Sequence, residues 1–452
     1  MSADVQPVPT LPASAAAPAS DAPASRRLGT FASLRVPNYR LFFAGMLVSN
    51  TGLWISRVAQ DWLVLMILTP QSSTALGLVT ALQFLPMPLL APFAGALADR
   101  FPKRRLLMLT QSASALTSAL LATLVIAGHV QLWHVFALAL AQGTLNALDN
   151  PTRQAFVSEL VDPAHLTNAV GLNSASFHAA RLLGPAVGGL SIAAFGVGPS
   201  FVVNAISFAA VLLALRFMDA DQLMPAAAKP GRGGVRAGLS YVRGRPDIML
   251  VMFMAFMLGT FGMNFQITNA LMATKVYGVG PEAYGLLGSI MAVGSLTGAL
   301  LAARRERPRF RFLLLALAAF AVFVAAAALS PSYWLFALLL VPVGLSSLTA
   351  MTTANAAVQL GTDPGMRGRV MALYMAVFMG GTPLGSPIVG WVGDAFGPRW
   401  TLLIGAFAVG LSVLAALGYH VRRGTLTLDA VRAALQVLRA RPLWPGARRG
   451  SS

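Results

Sequence analysis

The 452-residue chain has no cysteine and little charge of either sign. Without thiols there is no disulfide framework, no zinc–thiolate site and no cysteine nucleophile. Only 11% of the residues are charged, whereas soluble domains carry about 25%. Acidic residues are the scarcest, with 15 Asp+Glu against 33 Lys+Arg for a net charge of +18. No G-x-x-x-x-G-K-[ST] loop is present, which argues against ATP-driven pumping by this chain. Residues 1–30 lack the apolar core of a cleavable signal peptide. Residues of 1–25 are mostly Ala, Pro and Ser, the composition of a disordered tail. No metal-ligand cluster is apparent, and neither a metal nor an organic cofactor is expected.

What remains is overwhelmingly apolar. The chain is 56% hydrophobic with a mean hydropathy of +0.69, so disorder over most of its length is excluded. A helix needs about 20 apolar residues to cross a bilayer. Stretches that satisfy this fall near 41–66, 74–98, 106–128, 132–149, 173–195, 199–217, 248–273, 283–303, 311–329, 333–356, 370–393 and 400–419. The expected fold class is therefore an all-α integral membrane protein of twelve transmembrane helices. Short joints such as Gly196-Val197-Gly198-Pro199 force antiparallel neighbours.

Basic residues collect in cytoplasmic loops, which gives the large positive charge a cause other than nucleic acid, and no nucleic-acid partner is expected. Of the 33 Lys and Arg, 29 fall in the two tails and the even-to-odd loops, while Lys275 and Arg399 fall on the other side. Both termini are thus expected in the cytoplasm. The expected organisation is a disordered tail over 1–38, six spans over 39–217, a Pro-, Gly- and Arg-rich linker over 218–247, six spans over 248–420, and a tail over 421–452. In that last tail Leu428, Val431, Leu435 and Leu438 recur at helical spacing among arginines, as in an amphipathic helix on the inner leaflet, though a poorly ordered tail fits equally well.

The two halves repeat. Shifted by 201 residues, 155–196 lies over 356–397, matching Asp162-Pro163 with Asp363-Pro364, Leu183-Gly184 with Leu384-Gly385, and Phe195-Gly196 with Phe396-Gly397. Such repeats place a substrate site between the halves near the bilayer midplane.

The loop after span 2 reads Gly95-Ala-Leu-Ala-Asp99-Arg100-Phe-Pro102-Lys103-Arg104-Arg105. Gly95 permits close helix approach, Asp99 suits a helix N-terminus, and the arginines suit carboxylates. Span 5 carries Gly171, Ala180 and Gly184-Pro185-Ala-Val-Gly188-Gly189, whose small residues allow close packing and whose proline allows a bend. The first stretch resembles the G-x-x-x-D-R-x-G-R/K-R/K signature of the major facilitator superfamily, with Pro102 in place of a glycine. The second resembles that superfamily's antiporter signature, with Ala180 in place of a glycine. Asn38-Tyr39-Arg40-Leu41-Phe42, Asp149-Asn150-Pro151-x-Arg153-Gln154-Ala155-Phe156 and Arg367-Gly368-Arg369-Val370-Met371 resemble its bacterial exporter branch, which includes the enterobactin exporter and related multidrug permeases.

The resemblance implies two six-helix halves that rock about a central cavity. It also implies a gating loop of Gly95, Asp99, Arg100, Lys103 and Arg104, with Asp149, beside Arg153, as a partner for one of those arginines. It further implies a proton gradient as energy source, a small-molecule cargo, the bilayer as the other partner, and a monomer in the bacterial cell (inner) membrane. The corresponding loop after span 8, Arg304-Arg305-Glu306-Arg307-Pro308-Arg309, has lost the aspartate.

Charge within a span is costly and marks function by default. Arg57 and Asp61 in span 1, four residues apart, share a helix face and can neutralise each other. Asp61 lies about 30 Å along its span, near the outer end and within reach of water. Arg181 in span 5 can hold an anionic group of the cargo or pair with a carboxylate, with Asp61 and Asp149 as candidates. These three are the expected proton-coupling residues. Asn50 and Gln60 in span 1, Asn146 in span 4, and Asn264, Gln266 and Asn269 in span 7 are the candidate cavity residues, or interhelical glue. Phe253, Phe256, Phe261 and Phe265 form a candidate apolar wall, or face lipid.

A secondary exporter is therefore favoured over an importer or uniporter on the same fold, a non-transporting scaffold, or a membrane enzyme, for which no catalytic cluster is visible. The absence of cysteine makes the topology directly testable. A cysteine at Ser332 should react with an impermeant maleimide in intact cells, and one at Ser240 only in everted vesicles; labelling of Ser240→Cys from outside refutes the orientation.

Overall fold

The computed structural model describes residues 29–224, 235–303 and 310–422. Helix accounts for nearly all of it, with no strand among the described residues. In chain order the helices are α1 (Pro37–Trp62), α2 (Ser73–Phe84), α3 (Pro86–Arg100), α4 (Lys103–Ile126), α5 (Leu132–Leu160), α6 (Pro163–Phe195), α7 (Val197–Phe217), α8 (Val235–Arg243), α9 (Pro246–Met257), α10 (Phe265–Leu271), α11 (Pro281–Ala303), α12 (Phe310–Ala328), α13 (Tyr333–Gly361), α14 (Arg367–Ala395) and α15 (Pro398–Arg422). Several of these join end to end. α1 continues through a π-helical turn to Leu68, and α2 runs into α3 at Leu85. α9 and α10 are linked and extended by the π-helical turns Leu258–Gly262 and Met272–Val276. Ten of the resulting rods are long and apolar enough to cross a membrane. α5 and α6 are more polar but run roughly 44 and 50 Å at 1.5 Å per residue.

Those two helices correct the expected boundaries. The polar stretch from 150 to 172 was expected to lie outside the spans; instead α5 continues to Leu160 and α6 begins at Pro163. A second apolar cluster explains the extension: Phe156, Val157, Leu160, Ala169 and Leu172 pack with Tyr39, Phe42, Met46, Leu107, Val211 and Leu215. The Asp162 carboxylate then caps α6 by accepting from the His165 backbone N–H at 2.9 Å.

The expected 1–38 tail also ends earlier. Ser33 is fully buried against α6, its N–H donating to Asn168 Oδ1 at 3.0 Å and its hydroxyl to the His165 carbonyl at 3.0 Å. Within the expected linker, α8 packs on α14, with Gly238 close to Arg369. The amphipathic segment 428–441 and the run 304–309 lie outside the described residues.

The repeat is visible in the packing. α6 of the first half lies along α11 of the second, and α14 of the second along α2 of the first. These seams depend on missing side chains. A Cβ at Gly285 would sit 2.2 Å from the Pro185 carbonyl oxygen, and one at Gly77 would sit 2.4 Å from that of Ser386. Without a hydrophobic effect between helices in lipid, such close van der Waals approach is a principal source of association.

Within the second half, α14 presses on the π-turn of Leu258–Gly262, where a Cβ at Gly385 would lie 1.7 Å from the Thr260 carbonyl oxygen. Overpacking of this kind costs about 1–3 kcal/mol. Gly385→Ala should therefore lower the apparent melting temperature and the yield of monodisperse protein in a size-exclusion assay. Gly418→Ala, which meets nothing within 4 Å, should leave both unchanged.

Candidate functional site

A cavity of ≈ 250 Å³ lies between the two halves. It is built from α1, α2, α6, the broken rod of α9 and α10, α11 and α14. Trp54, Arg57, Val58 and Asp61 reach it from one stripe of α1 because the spacing of three and four residues returns to one helix face. From α6, Arg181 and Pro185 are one turn apart. Opposite them, helical geometry lapses at Met263 and Asn264, which turns Asn264, Gln266 and Asn269 toward the space. Phe84, Phe265, Phe378, Met263, Met291 and Met379 make most of the remaining wall.

Among the described residues three charged side chains line the cavity, Arg57, Asp61 and Arg181, the three expected to couple protons. Their arrangement differs from the expected ion pair. Asp61 is 5% exposed rather than at an open outer end of its span, because the chain remains helical to Leu68 and α11 covers it. It accepts a hydrogen bond from the Tyr284 hydroxyl at 2.7 Å across the two halves. Arg57 and Arg181 instead converge on one aromatic ring, with guanidinium carbons 4.8 and 5.8 Å from the Trp54 centroid. Cation–π contacts are strongest with tryptophan and grow with desolvation. Trp54 is seated by Gly184 of the glycine-proline motif, where a Cβ would fall 2.4 Å from the Trp54 Cβ. That motif thus shapes the cavity as well as packing α6 on α1.

Of the polar candidates, Asn264, Gln266 and Asn269 line the space, whereas Asn50, Gln60 and Asn146 do not. Asn50 lies two turns of α1 before Arg57, about 10 Å away along the axis. Gln60 is turned by about 100° from Asp61. Asn146 accepts from Gln142 of its own helix at 3.4 Å, and it is Gln142 that bonds Thr117 and Ser114 of α4. Phe265 is part of the wall; Phe253, Phe256 and Phe261 are not.

The gating-loop residues make contacts within their own half. Lys103 pairs with Glu159 at 2.6 Å. Arg104 donates to the Leu215 and Arg216 carbonyls at 2.7 and 3.2 Å. Asp149, expected to take one of the loop arginines or Arg181, instead pairs with Arg153 one helical turn on and accepts from Thr110 and Gln111 at 2.7 and 2.9 Å. The near partner wins because it costs no movement between helices. Gly95 and Gly171, expected to admit a neighbouring helix, meet nothing within 4 Å, while Gly188 and Gly189 are tightly packed. Arg100 is exposed, and the side chain of Asp99 lies outside the described residues.

At the other end, away from the basic loops, the halves are joined. The Asp394 carboxylate at the end of α14 accepts from the Ser73 and Thr74 backbone N–H groups, both at 2.8 Å, and from the Ser72 hydroxyl at 3.2 Å. It thus caps α2 of the opposite half, where unsatisfied donors and the helix dipole favour a negative charge. Lys275 lies 3.5 Å from the same carboxylate. Sequence reasoning missed Asp394, Tyr284 and Trp54. The one available signal for Asp394 was its rarity as an acid on the face that carries only Lys275 and Arg399.

This geometry agrees with what the chain is similar to. Residues 28–436 match the family described as transmembrane secretion effectors, within the major facilitator superfamily, and the chain belongs to it. It is 26% identical over 370 residues to a staphyloferrin A transporter of Staphylococcus aureus, covering 79% of this chain and 90% of that protein. It is 27% identical over 388 residues to the multidrug efflux pump Tap of Mycolicibacterium fortuitum, covering 82% and 92%. In fold it is similar to a bacterial homolog of the human lysosomal transporter Spinster in an inward-facing, unoccupied conformation, with a TM-score of 0.64 at 15% identity over 88% and 98% of the two chains. It is likewise similar to the nucleoside transporter NupG, with a TM-score of 0.66 at 13% identity over 84% and 98%. Family and fold are those of membrane transporters rather than enzymes. The chain is a multi-pass protein of the bacterial cell (inner) membrane.

The Asp394 cap predicts an accessibility change. Charge-assisted hydrogen bonds are worth about 1.5–3 kcal/mol each, so Asp394→Ala should loosen this end of the seam. A cysteine at Thr382, in the cavity wall, should then be labelled several-fold faster by an impermeant maleimide applied from that side. An unchanged rate means that Asp394 does not hold this end shut.

Proposed function

We propose that the protein is a secondary active exporter that moves a small amphipathic molecule out of the cytoplasm in exchange for protons, by alternating access. The observation that carries this reading is the cavity between the halves, which gathers Arg57, Asp61 and Arg181 and is joined shut at one end. Twelve spans with the basic loops in the cytoplasm, as the distribution of lysine and arginine predicts, would make that closed end the outer one. The structure would then be loaded from inside. The multidrug efflux pump Tap among the relatives and the antiporter-like motif of α6 support export. A monomer in the bilayer, with the proton gradient as energy source and no cofactor, is sufficient for this cycle.

Asp61 is the proposed proton carrier. Its carboxylate takes the Tyr284 hydroxyl from the other half, and a hydrogen bond to an ionised acceptor is roughly twice as strong as one between neutral groups. Protonation weakens that tie between α1 and α11 and favours separation of the halves on one side. Arg57, on the same stripe of α1, and Arg181 sense whether the carboxylate is charged. The Gly95–Arg105 loop would latch the opposite, outward-facing state, which fits its contacts within a single half here.

Everted vesicles energised to an acidic lumen, with the gradient followed by a fluorescent dye, test the reading. Some member of a panel of lipophilic cations, antibiotics and catecholate siderophores should dissipate the gradient, and Asp61→Asn should abolish that response. Dissipation that persists in the variant removes Asp61 from the coupling path. Uptake of a labelled compound into intact cells without efflux favours an importer.

A further inference from the structure

The cavity carries more positive charge than its own carboxylate offsets. Among the described residues no ion pair includes Arg57 or Arg181. The one acid in the wall, Asp61, accepts from Tyr284 and, a helical turn from Arg57, can offset only one of the two cations. Both guanidiniums lie against one face-bearing residue, Trp54, so they are no farther apart than the sum of their 4.8 and 5.8 Å distances to its ring. Two cations that close repel each other. The Trp54 indole Nε1 and the Arg57 Nε, both donors, have no hydrogen-bond partner although both are buried. A charged donor left in this state inside a membrane protein is expensive and needs a counter-charge.

The rest of the wall defines what can bring that counter-charge. Phe84, Phe265, Phe378 and three methionines give it a broad apolar surface, and methionine adapts to varied shapes. Asn264 and Asn269 each present an amide whose oxygen has no partner, which suits a donor on the cargo. Guanidinium groups take carboxylates through paired N–H donors in a planar fork. We infer that the cargo is an organic anion: a carboxylate-bearing molecule with an aromatic or similarly flat apolar body. Its carboxylate sits between Arg57 and Arg181 beside Trp54, and its apolar body lies against Phe84, Phe265 and Phe378.

This inference rests on the export reading and narrows its cargo. It is consistent with the proposed exchange, because an inside-negative membrane potential drives an anion outward and a proton inward alike. Lipophilic cations are then poor cargoes, since both arginines repel them.

Binding to purified protein in nanodiscs, with no gradient present, tests the inference separately from transport. The probes are 2-naphthylacetate, 2-naphthylethanol and 2-naphthylethylamine, which share one aromatic body and differ in charge. The anion should bind at least tenfold more tightly than the alcohol and the amine. Arg57→Gln and Arg181→Gln should each weaken anion binding about tenfold while leaving the alcohol within twofold. Arg181→Lys, which keeps the charge, should retain part of the preference, and melting temperatures report whether the variants are folded. Three results overturn the inference: the alcohol or amine binding as well as the anion, no anion binding at millimolar concentration, or anion binding unchanged in both glutamine variants. If the gradient assay succeeds while any of these is found, the export reading stands and the anionic cargo falls. If the anion preference holds but no compound dissipates the gradient, the site stands and proton exchange falls.

Discussion

A charge in the interior of a bilayer has no water to fall back on, and that constraint organises this protein. Charged side chains on the spans are few, and most of those toward the ends find partners nearby: Lys103 with Glu159, Asp149 with Arg153. Three lie deeper, and the fold brings all three to one cavity between the halves. Of these, Asp61 is met by a tyrosine from the other half, and the two arginines share Trp54, with Phe84 also 6.0 Å from Arg57. The arrangement is polarised without being neutral. A cavity of this kind can distinguish cargo by charge and can change its own charge by one proton.

The seams between the halves follow from the same setting. Helices in lipid gain little by hiding apolar surface from one another, so close backbone approach and a few polar contacts must hold them. Gly77, Gly189 and Gly285 supply the approach. Asp394 supplies the polar contact by capping a helix of the other half, so one carboxylate satisfies three donors that would otherwise face outward. Gly184 works within the first half. It lets α1 and α6 meet, and by seating Trp54 it fixes the ring on which Arg57 and Arg181 converge.

Much of the fold was legible in the sequence, because apolar run length and the internal repeat are both one-dimensional signals. The helix ends were less so. The polar stretch 150–172 looked like a loop, yet it is mostly helix, since an apolar cluster at the ends of the spans holds Phe156, Leu160 and Leu172. For the site, spacing correctly put Arg57 and Asp61 on one face of α1. It could not say that Asp61 would prefer Tyr284, a residue 223 positions away. Asn50, Gln60 and Asn146 have the same chemistry as Asn264, Gln266 and Asn269, and only the rotation and height of each helix separates those that reach the cavity from those that do not.

The sequence by itself determined that the chain is an all-helical membrane protein in two related halves, and which charges enter its spans. Hydropathy and helical period act over neighbouring residues, so they can be read along the chain. The tertiary structure alone decided that the two arginines share Trp54, that Asp61 bonds across the halves, and that Asp394 closes one end. Arg57 sits one turn from Trp54 on the same helix, but Arg181, Tyr284 and Asp394 each reach segments more than a hundred residues away, at distances set by how helices pack, which no local pattern records.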